Sequence, residues 1–63
     1  MNKKIIMDYI SNLLKEDKQL SDFDDFYRPI SKEYVLRDII KRFNLKHSTA
    51  YLYCSFFSLK DNG

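Results

Sequence analysis

The 63-residue chain contains one glycine and one proline, and the glycine, Gly63, is its last residue. Tight β-turns depend on these two residue types for their backbone angles. Hydrophobic residues make up 44% of the chain and charged residues 32%, a balance typical of a folded domain rather than a disordered segment. We therefore predict one all-α domain over residues 1–63.

Three segments show the period of an amphipathic helix, with apolar residues three and four positions apart. We predict a first helix over about residues 3–18, a second over 31–43 and a third over 47–59. Ser31 is a favourable N-cap for the second helix, and Asn44 suits the left-handed position that commonly ends a helix. The prediction is a small three-helix domain with a helix-turn-helix-like second half.

Residues 19–30, QLSDFDDFYRPI, are predicted to connect the first two helices. Ser and Asp side chains bond to nearby backbone groups in turns, and Pro29 disfavours helical geometry at the residue before it. We expect the aromatic residues of this connection to cover the core: Phe23, Phe26 and Tyr27.

Cysteine and histidine, two residue types that often carry catalysis or bind metals, are scarce. Cys54 is the only cysteine and His47 the only histidine, so an internal disulfide and a Cys/His zinc cage are excluded. These two residues lie about 10 Å apart on one helix, too far to pair. The aspartates of residues 21–27 lack the glycine and terminal glutamate of a calcium loop. We predict no enzymatic activity, no cofactor and no metal.

A single cysteine, with no secretory signal pattern before it, is typical of a reducing compartment. No apolar run approaches the roughly 20 residues that span a membrane. We expect an intracellular, cytoplasmic protein that makes no membrane contact.

The net charge of +2 is unevenly distributed. Residues 21–27 carry a net charge of −3, and residues 28–49 carry +4. The basic excess therefore lies in the segment that contains the second predicted helix and the turn after it. Basic residues clustered in one segment are a common feature of nucleic-acid-binding domains.

Residues 35–54 read VLRDIIKRFNLKHSTAYLYC: an amphipathic helix, a three-residue turn and a second helix. The segment FNLKHSTAYLY resembles the turn and recognition helix of helix-turn-helix recombinases and transcription regulators. By that resemblance, Asn44 takes the turn position usually held by glycine, and Leu45 is the apolar plug of the turn. Lys46 stands where the motif normally has a Ser or Thr cap, and Ser48 is an alternative cap that would shorten the helix.

The resemblance implies binding of double-stranded DNA by a regulator or accessory factor of phage or mobile-element type, with the third helix in the major groove. The residues expected at base edges lie at and after the turn: Lys46, His47, Ser48, Thr49 and Tyr51. The residues expected at phosphates are the basic ones before it: Arg28, Lys32, Arg37, Lys41 and Arg42.

The alternative hypothesis is a protein-binding inhibitor or adaptor module, a class that includes phage- and plasmid-type inhibitors of comparable size and composition. Its first candidate surface is the acidic and aromatic connection, which contributes Asp22, Phe23, Asp24, Asp25 and Phe26. Its second is an apolar stripe on the third helix, formed by Leu52, Phe56 and Leu59. The same stripe is our candidate homodimer interface, because one motif of this size offers few DNA contacts.

Overall fold

The computed structural model describes residues 2–57 and residue 59. Within them the chain forms three helices, α1 (Lys3–Phe23), α2 (Lys32–Phe43) and α3 (His47–Ser55), and no strand. The predicted all-α fold is confirmed. None of the described helices has the length and apolar character needed to cross a bilayer.

The first helix is longer than predicted. The Asn2 side chain accepts a hydrogen bond from the Lys4 amide (2.9 Å) and caps its start. At the other end, α1 continues past the predicted boundary at residue 18 to Phe23, and the Asp24 amide donates to the Leu20 carbonyl (2.9 Å). Lys18 and Asp22 form an ion pair (3.2 Å) across this added length, at the spacing that places side chains on one helix face.

The second helix has the ends that its sequence predicts. The Ser31 hydroxyl accepts a hydrogen bond from the Tyr34 amide (3.2 Å), so Ser31 is the N-cap. Asn44 follows the last helical residue with φ 54° and ψ 51°, the left-handed conformation. The amides of Asn44 and Leu45 both donate to the Ile40 carbonyl, which satisfies a carbonyl that the helix end would leave unpaired.

The third helix begins at the predicted residue and ends earlier than predicted. It starts at His47 with Lys46 as its N-cap and no side-chain capping bond, so the alternative cap at Ser48 is wrong. It ends at Ser55 rather than residue 59, because the Phe56 amide donates to Tyr53 (3.2 Å), only three residues back. Bonds of this spacing tighten and close a helix end. Of the predicted last turn, Ser58 lies outside the described residues.

The core is small and draws on all three helices. Its buried residues are Ile6 and Ile10 of α1, Val35, Leu36 and Ile39 of α2, and Ala50 and Cys54 of α3. Half-buried aromatic side chains surround it: Tyr9, Phe43, Tyr53 and Phe57. The expectation that Phe23 and Phe26 cover the core is wrong, since they are 91% and 94% exposed.

Candidate functional site

A three-residue turn, residues 44–46, joins α2 to α3. The left-handed Asn44 reverses the chain, and the half-buried Leu45 packs against the core, as predicted for the plug of the turn. Ala50 and Cys54 are fully buried on the inner side of α3, and Tyr53 is half-buried beside them. The opposite side of α3 is therefore left facing solvent.

The exposed side of α3 carries most of the residues predicted to read bases. Lys46, His47, Ser48 and Tyr51 are exposed, whereas Thr49 is half-buried. Positions 48, 51 and 55 are three and four residues apart, so they share one helix face. The structure thus brings Ser48 and Tyr51 together on the surface.

Two lysines lie over aromatic rings of α3 and its C-cap. Lys32, at the start of α2, places its Nζ 4.3 Å from the centroid of the Tyr51 ring. Lys3, at the start of α1, places its Nζ 5.3 Å from the centroid of the Phe56 ring. Lys32 was predicted as a phosphate contact, whereas Lys3 was missed because its approach to α3 depends on how α1 packs.

The other basic residues of α2 point in different directions. Arg37 pairs with Glu33 (2.7 Å), and both it and Lys41 line a shallow cavity of about 430 Å³ on the outer surface of α2. Arg42 lies over the Tyr9 ring of α1 (4.9 Å) and 3.9 Å from Asp38. Arg28 is exposed in the connection. The structure does not gather the five predicted phosphate contacts on one face.

Asp17 organises the connection between α1 and α2, and sequence reasoning missed it. One carboxylate oxygen accepts hydrogen bonds from the Tyr27 hydroxyl (2.6 Å) and the Ile30 amide (3.0 Å). The bond from Tyr27 to Asp17 raises the pKa of the Tyr27 hydroxyl, because it stabilises the protonated phenol. No sequence signal reveals this role, since Asp17 lies within a predicted solvated helix end. The connection is held against α1 by Asp17 and Tyr27 instead of by Phe23 and Phe26.

Three apolar and three acidic side chains project into solvent at the end of α1, and we call them the acidic aromatic surface. Its members are Leu20, Asp22, Phe23, Asp24, Asp25 and Phe26, all of them exposed. The Asp24 carboxylate accepts a hydrogen bond from the Phe26 amide (2.9 Å), and the Tyr27 amide donates to the Asp24 carbonyl (3.1 Å). The backbone on which Phe26 sits is therefore held by local hydrogen bonds.

The predicted stripe on α3 is only partly formed. Leu52 and Phe56 are 56% and 53% exposed, and they lie four residues apart on one side of the helix. Leu59 is not part of this stripe: it is half-buried against the core, because α3 ends before reaching it. The candidate dimer surface is reduced to two residues.

Cys54 has no feature of a nucleophile. Its side chain is buried, and burial raises the pKa of the thiol above its ordinary value, which disfavours the reactive thiolate. His47 is exposed at the start of the same helix. Among residues 2–57 and 59, no three His, Cys, Asp or Glu side chains come together as a metal site. Comparison of the chain with protein-family models, curated protein sequences and solved structures finds no match.

Proposed function

We propose that the protein binds double-stranded DNA, with α3 lying in the major groove and α2 across its edge. The observation that carries this proposal is the left-handed turn at Asn44, which leaves one face of α3 open to solvent. A recognition helix reads base edges with residues near its N-terminus. In this chain those residues are Lys46, His47 and Ser48, with Tyr51 one turn later.

The side chains in these positions suit two kinds of DNA contact. Lys46 and Ser48 offer hydrogen-bond donors to acceptor atoms on base edges or to phosphate oxygens, and the Tyr51 hydroxyl reaches a phosphate. Lys32, beside the Tyr51 ring, adds a positive charge next to these residues, and Lys3 adds one near Phe56 at the C-terminal end of α3. Thr49 is half-buried, so its contribution is smaller than the sequence predicts.

The basic residues of α2 contribute unequally in this proposal. Arg37 and Arg42 each have a carboxylate neighbour on α2, which weakens the local positive potential that they present. Arg28 and Lys41 are exposed and make no ion pair within residues 2–57 and 59. In this proposal the protein is a cytoplasmic, DNA-binding regulator or accessory factor of phage or mobile-element type, and it acts as a homodimer.

The test is fluorescence anisotropy of a labelled random duplex titrated with protein over a series of salt concentrations. Neutralised phosphates release counterions, so the affinity falls steeply with salt. We expect Lys46→Gln and Lys32→Gln each to weaken binding and to reduce the slope of log affinity against log salt by about one.

Lys15→Gln is the matched control, because Lys15 is an exposed lysine of α1 that lies about 18 Å along the helix from Lys3, whose Nζ is over Phe56. It should leave the affinity and the salt slope close to those of the unmodified chain. The DNA proposal is wrong if no binding occurs at low salt, or if Lys15→Gln has the same effect as Lys46→Gln.

A further inference from the structure

We infer that the acidic aromatic surface docks a protein partner that presents an apolar face bordered by Lys and Arg. This inference is independent of DNA binding. Tyr9 marks where α1 passes the turn between α2 and α3, because its ring contacts Phe43, the residue before that turn. About 21 Å of α1 separates Tyr9 from Phe23. The proposed DNA-binding surface and the acidic aromatic surface therefore lie toward different ends of α1.

The exposure of Phe23 and Phe26 is the first support. Each retains more than nine-tenths of its accessible surface in the folded chain. Single exposed apolar residues are ordinary, but three large ones exposed within seven residues, Leu20, Phe23 and Phe26, are typical of an interface. Leu20 extends the patch by one turn of α1, and it lines a shallow groove of about 430 Å³ with Glu16, Gln19 and Phe23.

The second support is the fixed position of the backbone beneath these rings. Phe23 lies in the last turn of α1, and the Phe26 amide is bound by the Asp24 carboxylate. Beyond them, Asp17 holds Tyr27 and Ile30. A segment whose backbone is already held in place loses little conformational entropy when it binds a partner. More of the free energy gained by burying its side chains therefore contributes to the affinity.

Charge determines which partner fits. Residues 16–26 carry five carboxylates and one lysine, Lys18, which pairs with Asp22. Asp24 and Asp25 lie between the two phenylalanines in the sequence, so a partner that buries both rings must approach these carboxylates. Nucleic acid and anionic membranes are repelled by such a surface, whereas an apolar face with basic residues along its border is complementary to it.

The test uses a defined probe, a synthetic helical peptide with Leu on one face and Lys on the other, and its twin with Glu in place of Lys. Amide chemical shifts of the full-length, isotope-labelled chain report where each peptide binds. We expect the Lys peptide to shift residues 20–26, with an affinity that falls as salt is added, and the Glu peptide to shift none of them. Phe23→Ser with Phe26→Ser should weaken binding at least about tenfold for each ring lost.

Tyr34→Ser is the control, since Tyr34 is an exposed aromatic residue on α2, outside this surface, and its loss should leave the affinity unchanged. The inference is overturned if the Lys peptide leaves residues 20–26 unshifted, if the double variant binds it equally well, or if the Glu peptide binds as tightly. Shifts of these residues with protein concentration alone, without peptide, would also overturn it, because the occupant would then be a second copy of the chain.

Discussion

The left-handed backbone conformation of Asn44 costs conformational free energy, and it also determines where α3 lies. It is the non-glycine residue with positive φ among those that the structure describes. The left-handed conformation costs most residues about 1–2 kcal/mol, because Cβ approaches the following carbonyl oxygen, and Asn tolerates it better than most. The direction of α3 relative to α2 depends on this residue, so the exposed face of α3 depends on it too.

We predict that Asn44→Ala lowers the free energy of unfolding by about 1 kcal/mol, whereas Asn44→Gly maintains or raises it. Glycine has no Cβ and adopts the left-handed region without strain. Urea unfolding followed by circular dichroism measures both values. Equal losses in the two variants would mean that the Asn44 side chain, and not its backbone conformation, stabilises the turn.

For single residues, the structural role was predictable from the sequence when it depends only on the residue type and on its neighbours in the chain. Ser31 as a cap and Asn44 as a left-handed residue are of this kind. The role of Asp17 was not predictable, because its partners Tyr27 and Ile30 are brought to it by the path of the chain beyond α1. Phe23 is exposed because α1 continues to it, instead of ending at residue 18, and turns its side chain to solvent.

At the scale of elements, the ends of α2 were predictable because a side chain or a left-handed residue marks them, and the start of α3 was predicted although no side chain caps it. Both ends of α2 carry such a signal and match the prediction. The end of α1 at Phe23 and the end of α3 at Ser55 carry none that a sequence shows, and both predictions were wrong. The Ser and Asp residues between positions 21 and 25 disfavour helix locally. The helix nevertheless extends to Phe23 through its backbone hydrogen bonds, and the Lys18–Asp22 ion pair lies along this extension.

Tyr9 makes the polar contact between α1 and α2, and this contact should depend on pH. Its hydroxyl donates to Asp38, and its ring meets Phe43 edge to face at 5.5 Å. The hydrogen bond to Asp38 and burial both raise the Tyr9 pKa above 10.0, so the folded state favours the protonated phenol. The stability from this contact is present below about pH 10 and is lost as pH rises through the raised folded-state pKa.

We therefore predict that Tyr9→Phe lowers the free energy of unfolding by about 1 kcal/mol at neutral pH, and that the deficit shrinks at strongly alkaline pH. Thermal or urea unfolding over a pH series measures it. Tyr34→Phe is the control, because the Tyr34 side chain is exposed. A deficit that stays constant into strong alkali would show that the Tyr9 hydroxyl contributes through packing rather than through its proton.

At the scale of the molecule, the all-α architecture was predictable from helical periodicity and the scarcity of turn residues. The distribution of side chains over the surface was not. The packing of α1 against the other two helices brings Lys3 close to Phe56 and places Arg42 over the Tyr9 ring. A count of charges along the sequence assigns each residue to its own segment and does not show these contacts. The basic segment 28–49 thus divides among several faces.

A 63-residue chain buries a modest share of its surface, and domains of this size often gain stability from a partner. Leu52 and Phe56 leave about half of their surface exposed. Leu52 lies one turn after Ser48 on the same side of α3, and Phe56 follows the C-terminal end of the helix, away from the N-terminal residues proposed to read bases. A second copy packed on these two residues would bury them and would place two recognition helices in one particle. The two-fold symmetry of such a dimer matches two half-sites on a duplex.

We predict that light scattering of the unmodified chain gives twice the 7.6 kDa mass of one chain, and that Phe56→Glu gives the mass of one. A carboxylate buried between two copies is costly, so the dimer dissociates. Tyr34→Glu, which adds the same charge at an exposed aromatic residue of α2, should leave the mass unchanged. If Phe56→Glu also leaves the mass unchanged, the α3 stripe is not the dimer interface. If it yields monomers, its DNA affinity should fall and its salt slope should shrink, because each particle then neutralises fewer phosphates.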